Sequence, residues 1–208
     1  MIRLEVAGGL WTVTLDRPDK ANALTGAMLE ELLRILGEAQ QGAAHALVLT
    51  GTGKVFSAGA DLDEARAGLA VSPLWERVSA ALAGLPCLTV AALNGTLAGG
   101  AFGMALACDL RIAVPGAGFF YPVMRLGFLP QPSDPGRLAA LVGPARAKMI
   151  LMAGQRITAE EALAWGLVDR VVPPEALMEP AHALTEQARG ATAPHVAAIK
   201  RLFPDPAV

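Results

Sequence analysis

Cysteine, histidine and tyrosine are scarce in this 208-residue chain, which holds two, three and one of them. Cys87 and Cys108 both lie in apolar runs, with no C-x-x-C spacing and no histidine nearby. That excludes a disulfide framework and reads as two buried, reduced thiols in a cytoplasmic protein. No spacing of His, Cys, Asp or Glu fits a metal site. Charge of either sign is also sparse: 17 basic against 19 acidic residues leave a net charge of −2. Such a balance gives no electrostatic case for nucleic acid or for an anionic membrane. Arg3 and Glu5 interrupt any apolar stretch at the start, so no signal peptide is expected. The longest uncharged run, Val78 to Cys108, could span a bilayer by length. Pro86, Asn94-Gly95 and Gly99-Gly100 divide it into a strand, a turn and a short helix, so a buried strand–turn–helix is expected instead.

What the chain has in quantity is apolar residues, 53% of the total, in a length that suits one layered α/β domain. Ile2, Leu4 and Val6 alternate with other residues, and Gly8-Gly9 separates them from Leu10–Leu15, which predicts a hairpin with a two-residue turn. Thr25 can cap a helix to about Gln40, with Met28, Leu29, Leu32, Leu33, Ile35 and Leu36 at helical spacing. Ala46–Thr50 and Cys87–Leu93 read as buried strands. Helices are expected from Ser72-Pro73 to Gly84 and from about Gly99 to Ala107, and short strands over Leu110–Val114 and Phe119–Tyr121. Thr158 and Glu161 form a capping box before a helix that Gly166 stops. Val168–Val172 reads as extended, and Pro173-Pro174 and Thr192–Phe203 as further helix. The order is β-β-α repeated, without linker or low-complexity sequence.

Two small-residue segments stand out, Phe56-Ser57-Ala58-Gly59-Ala60-Asp61-Leu62 and Asn94-Gly95-Thr96-Leu97-Ala98-Gly99-Gly100. Residues this small let main-chain N–H groups come close to one oxygen, and donors so placed stabilise an oxyanion such as a thioester enolate. The only two asparagines, Asn22 and Asn94, fall on turns of such segments.

Together with Arg17-Pro18-Asp19-Lys20-Ala21-Asn22-Ala23-Leu24, Gly51-Thr52-Gly53-Lys54-Val55, Ala107-Cys108-Asp109 and the run Ala153–Ala162 to Gly166-Leu167-Val168, these segments resemble the crotonase (enoyl-CoA hydratase/isomerase) superfamily. The likeness covers nearly the whole chain in order. It implies a crotonase-type (ClpP-like) spiral of ββα units whose sheets pack roughly at right angles. Residues 1–143 would form the core, and residues 144–208 a C-terminal helical region shortened relative to the family. It also implies a homotrimer or dimer of trimers and an acyl-CoA thioester as partner, with coenzyme A part of the substrate and no permanently bound cofactor. Carried over by position, the oxyanion donors are Ala60 and Gly100. The adenine and pantetheine would pass near Ala21, Leu24, Ala58 and the segment Ala60, Asp61, Leu62 and Asp63.

The chain departs from the hydratase pattern at two positions. The resemblance places catalytic glutamates where this sequence has Gly103 and Val123, and neither can exchange a proton. Adding water to a double bond needs both a base and an acid, so isomerisation, decarboxylation or thioester hydrolysis fits better than hydration. A non-catalytic acyl-CoA binder or partner subunit is the alternative. Asp134, in Gln131-Pro132-Ser133-Asp134-Pro135-Gly136, is the candidate proton carrier, set against an ordinary turn aspartate before proline. Asp61 is expected to have no chemical role. Asp63 and Glu64 are expected to be solvated or near the CoA phosphates. Tyr121 is read as core or rim packing, with a pocket phenol as the other reading. His45, His182 and His195 are expected away from the pocket.

Overall fold

The computed structural model describes residues 1–203, 205 and 206. The first hairpin lies wholly in the larger of two sheets, and the later strand pairs send one strand to each. The larger has six strands, β1 (Ile2–Ala7), β2 (Leu10–Leu15), β3 (Ala46–Gly51), β5 (Leu88–Leu93), β7 (Leu110–Ala113) and β10 (Arg170–Val171), in that spatial order. Only β1 runs antiparallel to its neighbour; the other pairs are parallel. The smaller sheet is β4 (Val55–Ser57), β6 (Thr96–Ala98), β8 (Gly118–Phe120) and β9 (Ile157–Thr158), with β9 antiparallel to β8. Strands β3 and β5 are buried along almost their whole length, which is why they read as continuous apolar runs without alternation.

The first hairpin has the expected register, with Ala7 opposite Leu10 and both turn glycines at positive φ (53° and 77°). Helix α1 (Gly26–Glu38) is capped by Thr25, whose hydroxyl accepts from Met28 N at 3.2 Å. Its buried face is Met28, Leu29, Leu32, Ile35 and Leu36, whereas Leu33 is only half-buried. Helix α2 (Leu62–Arg66) is a single turn after the first small-residue segment. Helix α3 (Leu74–Ala83) packs against α1, and α4 (Ala101–Ala107) against α3. Every residue of α4 is buried, and the uncharged run from Val78 to Cys108 is divided among the end of α3, β5, β6 and α4. Among the described residues no helix is long and apolar enough to cross a membrane.

The second half holds α5 (Val123–Leu126), α6 (Asp134–Val142), α7 (Pro144–Leu151), α8 (Ala159–Trp165), α9 (Met178–Ala183), α10 (Glu186–Gly190) and α11 (Ala193–Lys200). The capping box is formed: Glu161 N donates to Thr158 Oγ1 at 3.2 Å and Thr158 N to Glu161 Oε2 at 2.9 Å. The Gln131–Gly136 stretch needs correction. Asp134 is the first residue of α6, because a proline in the first helical turn needs no N–H partner and so starts a helix as readily as it ends one. Cys87 and Cys108 are buried free thiols, and burial pushes them up to about 11 and about 12.

Candidate functional site

The first three loops are tied together by the two asparagines. Asn22, fully buried and at positive φ (52°), accepts from Arg17 N at 2.8 Å and donates to Thr52 O and Val55 O at 2.9 and 2.7 Å. Asn94 accepts from Gly51 N at 3.0 Å and donates to Gly53 O and Val55 O. Both amides therefore grip the 51–55 turn that leads into β4. Asn22→Ala would take the partner from two part-buried main-chain groups, Arg17 N and Thr52 O, while Val55 O keeps Asn94, at about 1–3 kcal/mol each where water cannot replace them. A loss of about 3 kcal/mol in urea unfolding is expected; an unchanged midpoint would show that the clamp contributes nothing.

Past β4 and β6 the two small-residue segments touch. Gly59 (φ +94°) and Gly99 (φ +58°) stand face to face, and a Cβ on Gly59 would lie 3.0 Å from Ala98 O and 3.3 Å from Gly99 Cα. The next residues, Ala60 and Gly100, both line one cleft of about 130 Å³. Their flanking amides are used: Gly59 N donates to Ser57 Oγ, Asp61 N to Leu24 O, and Gly99 N to Phe120 O. Among the described residues, neither Ala60 N–H nor Gly100 N–H donates a hydrogen bond. Trp75 packs directly beneath Gly100, fixed by its own Nε1–Leu69 O bond of 2.8 Å.

The other walls are apolar and include Val123, Leu126, Phe128 and Leu129. No Asp, Glu, His or Lys is among the lining residues, and Tyr121 is the one titratable side chain there. Its hydroxyl donates to Asp134 Oδ2 at 2.9 Å, and its ring stacks on Phe102, with centroids 5.6 Å apart. Asp134 is 0% exposed, and among the described residues its Oδ1 has no hydrogen-bond partner. That oxygen lies against Gly103, where a Cβ would stand 2.7 Å from it. Burial pushes Asp134 up to about 7; the Tyr121 bond and Arg137 oppose the shift, and the negative charge of Glu76 adds to it. The same burial, with the Asp134 charge, holds the Tyr121 phenol well above the ordinary tyrosine range.

The remaining sequence candidates occupy the rim or the core. Asp61 caps α2, accepting from Asp63 N at 3.1 Å, and pairs with Arg17 at 2.7 Å; the guanidinium holds its carboxyl below the usual range. Leu62 is 73% exposed beside the cleft, Asp63 is solvated and paired to Arg66, and Glu64 accepts from Gly26 N at 2.7 Å. Ala58 lines the cleft, and its N donates to Ala21 O at 3.0 Å. Leu24 buries its whole side chain in the core, so only its main chain meets the loop. None of the three histidines lines the cleft. Sequence reasoning did not place Trp75 or Gln131 at the cleft, and nothing in their local pattern distinguishes them from packing residues. A larger hollow of about 630 Å³ lies elsewhere, where Arg137 pairs with Asp205 at 3.0 Å and Lys200 with Asp109 at 2.8 Å. It meets the Ala107-Cys108-Asp109 motif but neither small-residue segment. Among the described residues no three His, Cys, Asp or Glu side chains gather as a metal site.

Comparison with known proteins converges on one group. The enoyl-CoA hydratase/isomerase family profile matches residues 5–207. Short-chain-enoyl-CoA hydratase of Clostridium acetobutylicum is 38% identical over 185 residues, covering 86% of this chain and 71% of that protein. Carnitinyl-CoA dehydratase of Salmonella enteritidis is 37% identical over 207 residues, covering 94% and 77%. The crystal structure of an enoyl-CoA hydratase from Bacillus anthracis superposes with a TM-score of 0.86 at 35% identity, covering 96% of this chain and 81% of that one. With its repeated ββα units and its motif loops gathered at one cleft, the chain belongs to the enoyl-CoA hydratase/isomerase family.

Proposed function

We propose that the cleft binds an acyl-CoA thioester, holds its carbonyl oxygen between the N–H groups of Ala60 and Gly100, and shifts a double bond along the acyl chain, with Asp134 as the proton acceptor. The observation that carries this reading is the pair of unpartnered main-chain donors on one apolar cleft. Fixed donors of this kind stabilise an enolate oxygen without reorganising during the reaction. Coenzyme A enters as part of the substrate. Its adenine and pantetheine run past Ala21, Ala58, the main chain of Leu24 and the segment Asp61, Leu62 and Asp63. A double-bond shift needs one group that takes a proton and returns it, and Asp134 is poised near neutrality for that. Hydration needs a second group, and Val123 offers none.

A second reading, a non-catalytic acyl-CoA binder or partner subunit, is favoured by the lack of any carboxylate among the residues lining the cleft. In either case we take the working form to be a cytoplasmic homotrimer or dimer of trimers. The exposed apolar side chains Met124 and Leu129 support a covered face there.

The direct test removes one donor. Ala60→Pro removes an N–H that bonds to nothing in the protein, and its effect on the loop is checked by the affinity for hexanoyl-CoA. We expect wild type to bind hexanoyl-CoA in calorimetry and Ala60→Pro to turn over an enoyl-CoA substrate about 10²–10³-fold more slowly. Wild type that binds no acyl-CoA overturns the proposal.

A further inference from the structure

We infer that Tyr121 is the catalytic residue that meets the substrate, and that it passes protons between the cleft and Asp134, which never touches the acyl chain. The inference rests on the cleft being the acyl-CoA site. Three observations place the relay. Tyr121 is the one titratable side chain lining the cleft. Its hydroxyl hydrogen is committed to Asp134 Oδ2 at 2.9 Å. Asp134 is 0% exposed and absent from the cleft lining, so no substrate atom reaches it directly.

A phenol oxygen carries two lone pairs. One receives a long bond from Gln131 N at 3.4 Å, which leaves one free to accept a proton. In a 3-enoyl thioester the α C–H bond breaks, and its proton forms a new O–H bond to Tyr121. In the same step the original phenol proton moves to Asp134 Oδ2. The electron pair of the broken bond becomes the dienolate, whose charge settles on the thioester oxygen. Return of the proton from Tyr121 to the γ-carbon, with Asp134 handing its proton back, leaves a 2-enoyl thioester and both residues as they began. No free phenolate forms, in keeping with the burial that disfavours one.

The charged groups that bear on Asp134 are Glu76 of α3 and Arg137 of α6, and α4 brings none. Arg137 is itself paired with Asp205, and Glu76 accepts from Ser133 N and Oγ. These neighbours are thus hydrogen-bonded elsewhere and bear on the Tyr121–Asp134 couple through their charge.

The test uses the full chain with trans-3-hexenoyl-CoA, reading the absorbance of the conjugated 2-enoyl product, and hexanoyl-CoA for affinity. Tyr121→Phe keeps the ring and its stacking on Phe102. We expect it to bind hexanoyl-CoA within about threefold of wild type and to lose about 10²-fold or more in kcat. The wild-type kcat should rise with pH through the neutral range, and the residual rate of Tyr121→Phe should lack that rise. Wild-type kcat and pH profile in Tyr121→Phe would overturn the relay while leaving the acyl-CoA reading intact. Wild type that binds hexanoyl-CoA yet converts no hexenoyl-CoA would overturn the relay and the catalytic reading together.

Discussion

Gly103→Glu is expected to destabilise the protein by about 3 kcal/mol or more and to restore no hydration. This is the substitution that would return the chain toward the hydratase pattern. The first added atom already stands 2.7 Å from Asp134 Oδ1, inside a helix whose residues are all buried. A second carboxyl would join one that is fully enclosed, and like charges at that separation cannot both ionise. Overpacking and an unpaired buried charge are each among the mechanisms that give large losses. The incompatibility is local, so Asp134→Gly should relieve it. In a double-mutant cycle read by urea unfolding, Gly103→Glu with Asp134→Gly should recover most of the loss. Crotonyl-CoA hydration should then appear only when Val123→Glu is added to that pair. A Gly103→Glu protein as stable as wild type would refute the account of how residue 103 and α6 share space.

Asp134→Asn is expected to abolish most turnover, by about 10²–10⁴-fold, and to remove a pH dependence of stability. The Asp134 carboxyl titrates near 3.8 in an ordinary setting and at about 7 in the folded protein. Between those values the native state holds one proton more than the unfolded chain. Stability therefore falls as pH rises from about 4 to about 7 and stays level above, by an amount on the order of 4 kcal/mol. Asp61, whose carboxyl is held below its usual range by Arg17, acts in the opposite sense at lower pH. The useful quantity is thus the difference between wild type and Asp134→Asn. Urea midpoints at pH 5 and pH 8 should show that difference shifting in favour of the variant at the higher pH. Parallel pH profiles would mean that the buried carboxyl is not destabilised by its surroundings.

These two results turn on residues that the sequence exposed unevenly. The hairpin, the Thr25 cap and the Thr158–Glu161 box were legible because each rests on neighbours in the chain, and all three stand as expected. The small-residue segments were legible as candidates because close approach demands residues of that size. Asp134 was legible only as a carboxylate at the right place in the family order. Its meeting with Gly103 joins α6 to α4 across 31 positions, and local pattern says nothing about such a contact. The same limit applied to Tyr121, which is at once core packing and cleft wall, so both of its readings hold. The start of α6 was hidden because Pro135-Gly136 reads as a break, although the structure uses it as a helix entry.

The pairing of β4 with β6 also has a metric consequence. Ser57 lies opposite Leu97 across a register shift, and past the strand ends both chains bend at glycines of positive φ, Gly59 and Gly99, before Ala60 and Gly100 reach the same cleft. Neighbouring strands run about 4.8 Å apart. Two N–H groups each about 2.9 Å from a shared oxygen, at a near-tetrahedral angle, are separated by roughly the same length. The pairing of β4 with β6 thus starts the two segments at about the separation the proposed donors need, whatever side chains fill the cleft, and the two glycine bends carry them to it.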